Sequence, residues 1–110
     1  MYRYYVKNAS QFTIIDCYHI LYCTANDGYT VIHTEGDEKY MESKSLTKFM
    51  DEIGYPYLIR ISQSVAVNIH HIKHVRNKEK CIVLENRTEL QYTLSFNELQ
   101  SQIKKLHNTP

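Results

Sequence analysis

Residues 58–72, LIRISQSVAVNIHHI, restrict the fold of this chain more than any other stretch. The segment begins with strand-like alternation and breaks at a polar Ser62-Gln63-Ser64 corner. It resumes as apolar Val65-Ala66-Val67 and then sets a single Asn68 between Val67 and Ile69. A strand places successive side chains on opposite faces, so such a stretch can hold a β domain together and still aim polar groups outward at a partner. Asn68, an amide among apolar neighbours, is expected to be buried and to satisfy backbone groups.

Short segments of the same kind continue on both sides. Residues 2–7, 11–15, 20–24, 29–34 and 39–42 read as strands, with Ala25-Asn26-Asp27-Gly28 and Glu35-Gly36-Asp37-Glu38 as turns. The period then changes. Leu46, Phe49, Met50 and Ile53 fall on one face of a short helix that Ser43 or Ser45 can cap, that Gly54 ends, and that Tyr55-Pro56 keeps from continuing. After residues 58–61, a hairpin is expected from residues 72–76 and 80–84, then a strand at 89–93. Ser95 and Glu98 have capping-box spacing at the start of a final helix, whose apolar face is Phe96, Leu99, Ile103 and Leu106. The expectation is one mainly-β domain over residues 1–110. It holds eight or nine short antiparallel strands, an internal helix and a C-terminal helix, a single core and no internal repeat.

Composition narrows the function. The first 59 residues carry five basic and eight acidic side chains. The remainder carries eight basic and four acidic, with four of the six histidines. A positive second half suits an anionic partner or a plain solvated surface. Three cysteines without CxxC spacing argue against a disulfide framework or a zinc site and suit the reducing cytoplasm. No leader is evident, and no apolar run approaches the ~18 residues of a membrane span. His70, His71 and His74 lie near Lys73 and Arg76, with no thiol or carboxylate at a matching spacing; they are expected to be a surface cluster adding positive charge. No nucleophile elbow, glycine-rich phosphate loop or close carboxylate pair is present, so neither an enzyme nor a cofactor is expected.

The order of blocks is more specific. ILYCTANDGYTVIH runs from residue 20, SLTKFMDEI from 45, IRISQSVAVNIHHI from 59 and LQYTLSFNEL from 90. This order resembles the LytTR DNA-binding domain family over residues 10–106. The most specific part is R-x-x-x-S-x-x-V-N-x-x-x-I, matched by Arg60, Ser64, Val67, Asn68 and Ile72. The resemblance implies an elongated stack of small antiparallel sheets, the effector module of bacterial response regulators and transcriptional regulators. It implies loops of one edge entering successive major grooves of double-stranded DNA, with a homodimer or paired domains on repeated sites. Carried over position by position, Tyr29, Gln63 and Ser95 face bases, and Arg60, Ser62 and Ser64 lie near phosphates.

The chain departs from the family where Ser62-Gln63 stands for the usual His-Arg, Leu94-Ser95 for Arg-Arg, and Thr24 for Glu. Gln can still read adenine in the major groove. Fewer cations predict low non-specific affinity. Lys73, Arg76, Lys78 and Arg87 are the basic side chains left to supply charge from neighbouring loops. The departures also fit an alternative, a LytTR-fold interaction module with weak or no DNA binding.

Overall fold

The computed structural model describes residues 2–107. Ten strands, two α-helices and two single 3-10 turns follow one another along the chain. β1 (Arg3–Lys7) and β2 (Phe12–Asp16) form a hairpin. β3 (Ile20–Asn26), β4 (Tyr29–Thr34) and β5 (Lys39–Glu42) form a meander that leads into α1 (Leu46–Ile53). β6 (Leu58–Arg60) and β7 (Val65–Asn68) form a second hairpin. β8 (Ile72–Arg76), β9 (Cys81–Leu84) and β10 (Glu89–Gln91) form a second meander, which leads into α2 (Phe96–His107).

Three antiparallel sheets result, β1-β2, β5-β4-β3-β7-β6 and β10-β9-β8. They give an elongated body of 44 × 33 × 25 Å, as expected. No described helix is long and apolar enough to cross a membrane.

The five-stranded sheet is the middle layer, and its alternation feeds two cores rather than one. Leu58 and Ala66 join Val6, Ile15, Ile32 and Phe49 on one face; Ile59 and Val67 join Ile82, Leu84, Leu90 and Leu99 on the other. The expected single core is therefore corrected. A sheet apolar on both faces needs a cover on each, and strands this short let 110 residues supply both. β7 was not expected as a separate strand. Val65-Ala66-Val67 lacks polar alternation because it is central and buried on both faces.

The helix ends follow the sequence. Ser45 Oγ accepts from Lys48 N at 3.2 Å, and Gly54 ends α1 in the left-handed region at φ 57°. Ser95 Oγ accepts from Glu98 N at 3.1 Å and starts α2. Strand β10 stops at Gln91, earlier than expected, because Thr93 N donates instead to Ile61 O at 2.9 Å.

The expected absence of a repeat is also corrected. Hairpin, 3-10 turn, three-strand meander and helix occur twice in the same order. Asp16 and Asn68 have nearly the same backbone angles (φ −73°, ψ 119° and φ −81°, ψ 117°). Each side chain accepts at 3.0 Å from the N–H two residues on. Cys17 N donates to Tyr2 O as Ile69 N does to Tyr57 O, and Glu35 N to His19 O as Glu85 N does to His71 O. In the meander turns, Thr34 N donates to Glu38 O as Leu84 N does to Thr88 O. The two copies share hydrogen bonds more than residues, which hides the repeat from the sequence.

Between the copies lies Asn68, fully buried as expected. Its Nδ2 donates to the carbonyls of Ile20 at 2.9 Å, Tyr18 at 3.2 Å and Cys17 at 3.4 Å. The three cysteines are buried and unpaired; burial pushes the Cys17 thiol up to about 11 and the Cys23 thiol higher still, so both stay protonated.

Candidate nucleic-acid interface

In an antiparallel stack the strand connections fall at two ends. The 3-10 turns gather at one, and the β3–β4 turn, the β6–β7 corner and the β10–α2 loop gather at the other. Backbone hydrogen bonds fix that second cluster. Ala25 N donates to Ser64 O at 2.8 Å, tying the β3–β4 turn to the corner. Thr93 N donates to Ile61 O, tying the β10–α2 loop to the corner's other side. The elements carrying Tyr29, Ser62, Gln63, Ser64 and Ser95 therefore share one edge of the molecule.

Each side chain has its own setting. Asp27 (φ 47°) and Gly28 (φ 83°) make a two-residue turn, after which Tyr29 opens β4 and is 44% exposed. At the corner Ser62 Oγ accepts from Ser64 N at 3.3 Å. Gln63 and Ser64 are exposed at its tip. Ser95 is exposed and caps α2, so its hydroxyl stands at the positive end of the helix dipole.

Arg60 faces inward to the corner. Its Nε donates to Ser62 O at 3.2 Å, one terminal nitrogen donates to Gln63 O and the other to Thr47 Oγ1 at 2.8 Å. A planar fork that reaches two carbonyls and a hydroxyl at once is what a guanidinium does and an ammonium does not. The contact also brings the first turn of α1, with exposed Lys48, alongside the corner.

The supporting charges divide between the two ends. Lys78 lies in the turn that closes with Lys80 N donating to Asn77 O, next to the β10–α2 loop. Arg76 ends β8 at the same edge, 3.9 Å from Glu89. Lys73 opens β8 and Arg87 lies in the β9–β10 turn, both towards the other end. Sequence reasoning missed Lys80, whose ammonium donates to Leu94 O at 3.2 Å and lies 5.2 Å from the centre of the Tyr92 ring. In the sequence it is only the first residue of the expected strand 80–84; in the structure it closes the turn at φ 53°. Lys44 is drawn away from the edge by Glu52, which holds its ammonium above the ordinary lysine range.

The histidine cluster needs correction. His71 is buried, with Nε2 2.6 Å from Tyr18 O and Nδ1 3.7 Å from Glu35. His70 is half-buried against the Tyr57 ring, and only His74 is exposed. The cluster braces the two 3-10 turns, at the end opposite the loops. Among the described residues no three His, Cys, Asp or Glu side chains converge as metal ligands.

Where the family's Glu is replaced, Thr24 Oγ1 lies 3.2 Å from His33 Nε2, and the His33 ring stacks on Tyr22 at 4.1 Å. Burial, helped by Lys39, lowers the His33 pKa; burial, His107 and His71 lower that of His70. Both protonate more readily in the unfolded chain, so their contribution to stability is present above the unfolded value and lost as pH falls. Thermal melts should drop between about pH 7 and pH 5. A His33→Gln/His70→Gln double variant should flatten that drop, and an equally steep profile would refute the assignment.

Known proteins resemble this chain in sequence and in fold. The sequence model of the LytTr DNA-binding domain family matches residues 10–106. The transcriptional regulatory protein LytR of Staphylococcus aureus strain N315 is 32% identical over 74 residues, covering 64% of this chain and 30% of LytR. LytR of strain NCTC 8325 matches to the same extent. The matched stretch is thus under a third of those relatives' length. A solved LytTr DNA-binding domain from Bacillus cereus has the same fold, with a TM-score of 0.73 at 19% identity over 99% of both chains.

Proposed function

Because this chain belongs to the LytTR DNA-binding domain family, we propose that it binds double-stranded DNA sequence-specifically, as the effector domain of a cytoplasmic bacterial transcriptional regulator. The role is regulatory and non-enzymatic. The observation that carries the reading is the joining of three loops into one edge by the Ala25–Ser64 and Thr93–Ile61 hydrogen bonds. An edge of protruding loops can enter a major groove, where base edges are distinguishable.

Gln63, exposed at the tip, reads a base; Tyr29 and Ser95 flank it. Ser62 and Ser64 meet phosphates, with charge from Arg76, Lys78 and Lys80. Arg60 holds the corner in shape rather than reaching out. Paired domains on repeated sites follow from the same family reading.

Random duplex DNA titrated against salt tests the core of this. Binding should be detectable at ~50 mM salt and weaken steeply as salt rises. Gln63→Ala should cost about 1–3 kcal/mol on the preferred site and relax its sequence preference. Equal losses on every sequence would show that Gln63 only positions the backbone.

A second reading is a LytTR-fold interaction module. The inward commitment of Arg60 and the exposed acidic tip at Asp27 favour it. No binding to any duplex at ~50 mM salt would sink the first reading and leave this one standing.

A further inference from the structure

The internal repeat leaves two strand edges without the partner that their counterparts have. Within the chain, β7 of the second copy pairs with β3 of the first, setting Val65 opposite Thr24, Ala66 opposite Cys23 and Val67 opposite Tyr22. The counterpart of β7 is β2, and the counterpart of β3 is β8. Each has one open edge, since β2 ends its two-stranded sheet and β8 ends its three-stranded sheet. We propose that β2 of one molecule pairs with β8 of a second molecule, head to tail, repeating between chains the contact that joins the two halves of one chain.

Three observations support the second copy as the occupant. The β1–β2 hairpin exposes Tyr5 (55%), Phe12 (59%) and Ile14 (56%), with Tyr5 stacked on Phe12 and paired across the strands with Ile14. On the second hairpin, Arg60 and Ala66 form the corresponding pair, and Ala66 is fully buried beneath the first half.

Charge sets the polarity of the contact. The open edge of β8 carries exposed Lys73, His74 and Arg76, so it repels a second β8 edge, whereas β2 has one charged side chain, Asp16.

The clamp beside the internal contact also has its counterparts. His71 bridges to Tyr18 O and lies near Glu35. His19 holds the equivalent place in the first half, where its Nδ1 meets Glu35 of its own chain; in the paired state its ring would bridge to His70 O and lie near Glu85 of the second molecule. One member differs. Asn68 donates to three carbonyls, whereas Asp16 offers a carboxylate with no proton to give. The contact between molecules is therefore weaker than the one within, and Asp16→Asn strengthens it. A head-to-tail contact of this kind is heterologous, so it builds a ring or a row according to its rotation rather than a symmetric pair.

Cross-linking tests both the register and the polarity. The native thiols are buried, so a Thr13→Cys protein and an Arg76→Cys protein each present a single accessible thiol. Under mild oxidation the mixture should form disulfide dimers at least about tenfold faster than either protein alone. Asp16→Asn in the Thr13→Cys protein should raise the rate further, and Ile14→Lys, which sets a like charge against the basic edge, should return it to the unmixed level. Equal rates in mixed and unmixed samples, or no response to Asp16→Asn, would overturn the proposal. Sedimentation equilibrium of an Asp16→Asn protein with native thiols gives a second reading, in which mass should rise with concentration more than in the unaltered chain. The same mass curve for both would also overturn it.

Discussion

Asn68→Ala is expected to lower the melting temperature by roughly 10–20 °C, from a loss on the order of 3 kcal/mol. The side chain is fully buried, accepts from His70 N and donates to carbonyls of Cys17, Tyr18 and Ile20. Alanine removes the side-chain partner of His70 N and of Ile20 O, while Cys17 O keeps Ile20 N and Tyr18 O keeps His71, and stranding a buried polar group costs about 1–3 kcal/mol each. Because the amide belongs to one 3-10 turn and the carbonyls to the other, the damage falls on the junction of the two halves. Asn68→Asp keeps the acceptor for His70 N and loses the donor, so it separates the two contributions and should remain well below the unaltered chain. Melting within a few degrees of the unaltered protein, for either variant, would show that water or a shift of the turns replaces the amide.

Asn68 was legible in the sequence because its neighbours are apolar and its own chemistry is not, which leaves burial with hydrogen bonds as the economical outcome. The hairpin at Asp27-Gly28 and the serine caps were legible for a similar reason, since local chemistry decides them within a few residues. What was not legible depends on contacts far apart in the chain. Strand β7 lacks alternation because layers lie on both of its faces. His71 reads as a surface cation among polar neighbours, and only Tyr18 and Glu35, both distant in sequence, explain its burial. The repeat is carried by backbone hydrogen bonds, which residue identity barely reports. At the candidate edge the sequence placed the candidate residues on loops but did not show their company. The convergence of the three loops rests on two backbone bonds, and the role of Arg60 turns on Thr47, which sits on another element.

Arg60 is the residue on which the two accounts of this edge differ most in consequence. Arg60→Ala is expected to weaken DNA binding roughly 100-fold on preferred and random duplexes alike, with the salt dependence nearly unchanged. The guanidinium holds the carbonyls of Ser62 and Gln63, so removing it frees the three-residue corner. Fixing a freed backbone costs about 1–2 kcal/mol per residue, a cost that binding must then meet. Losses of this origin do not depend on counterions. A lost phosphate contact, by contrast, lowers the salt slope by about one unit. Arg60→Lys sharpens the contrast. Lysine keeps the charge but cannot span Ser62 O, Gln63 O and Thr47 Oγ1 together, so its binding should stay close to that of the alanine variant. Recovery of affinity by lysine, with the original salt slope, would instead show Arg60 swinging out to meet a phosphate, as the family resemblance implies.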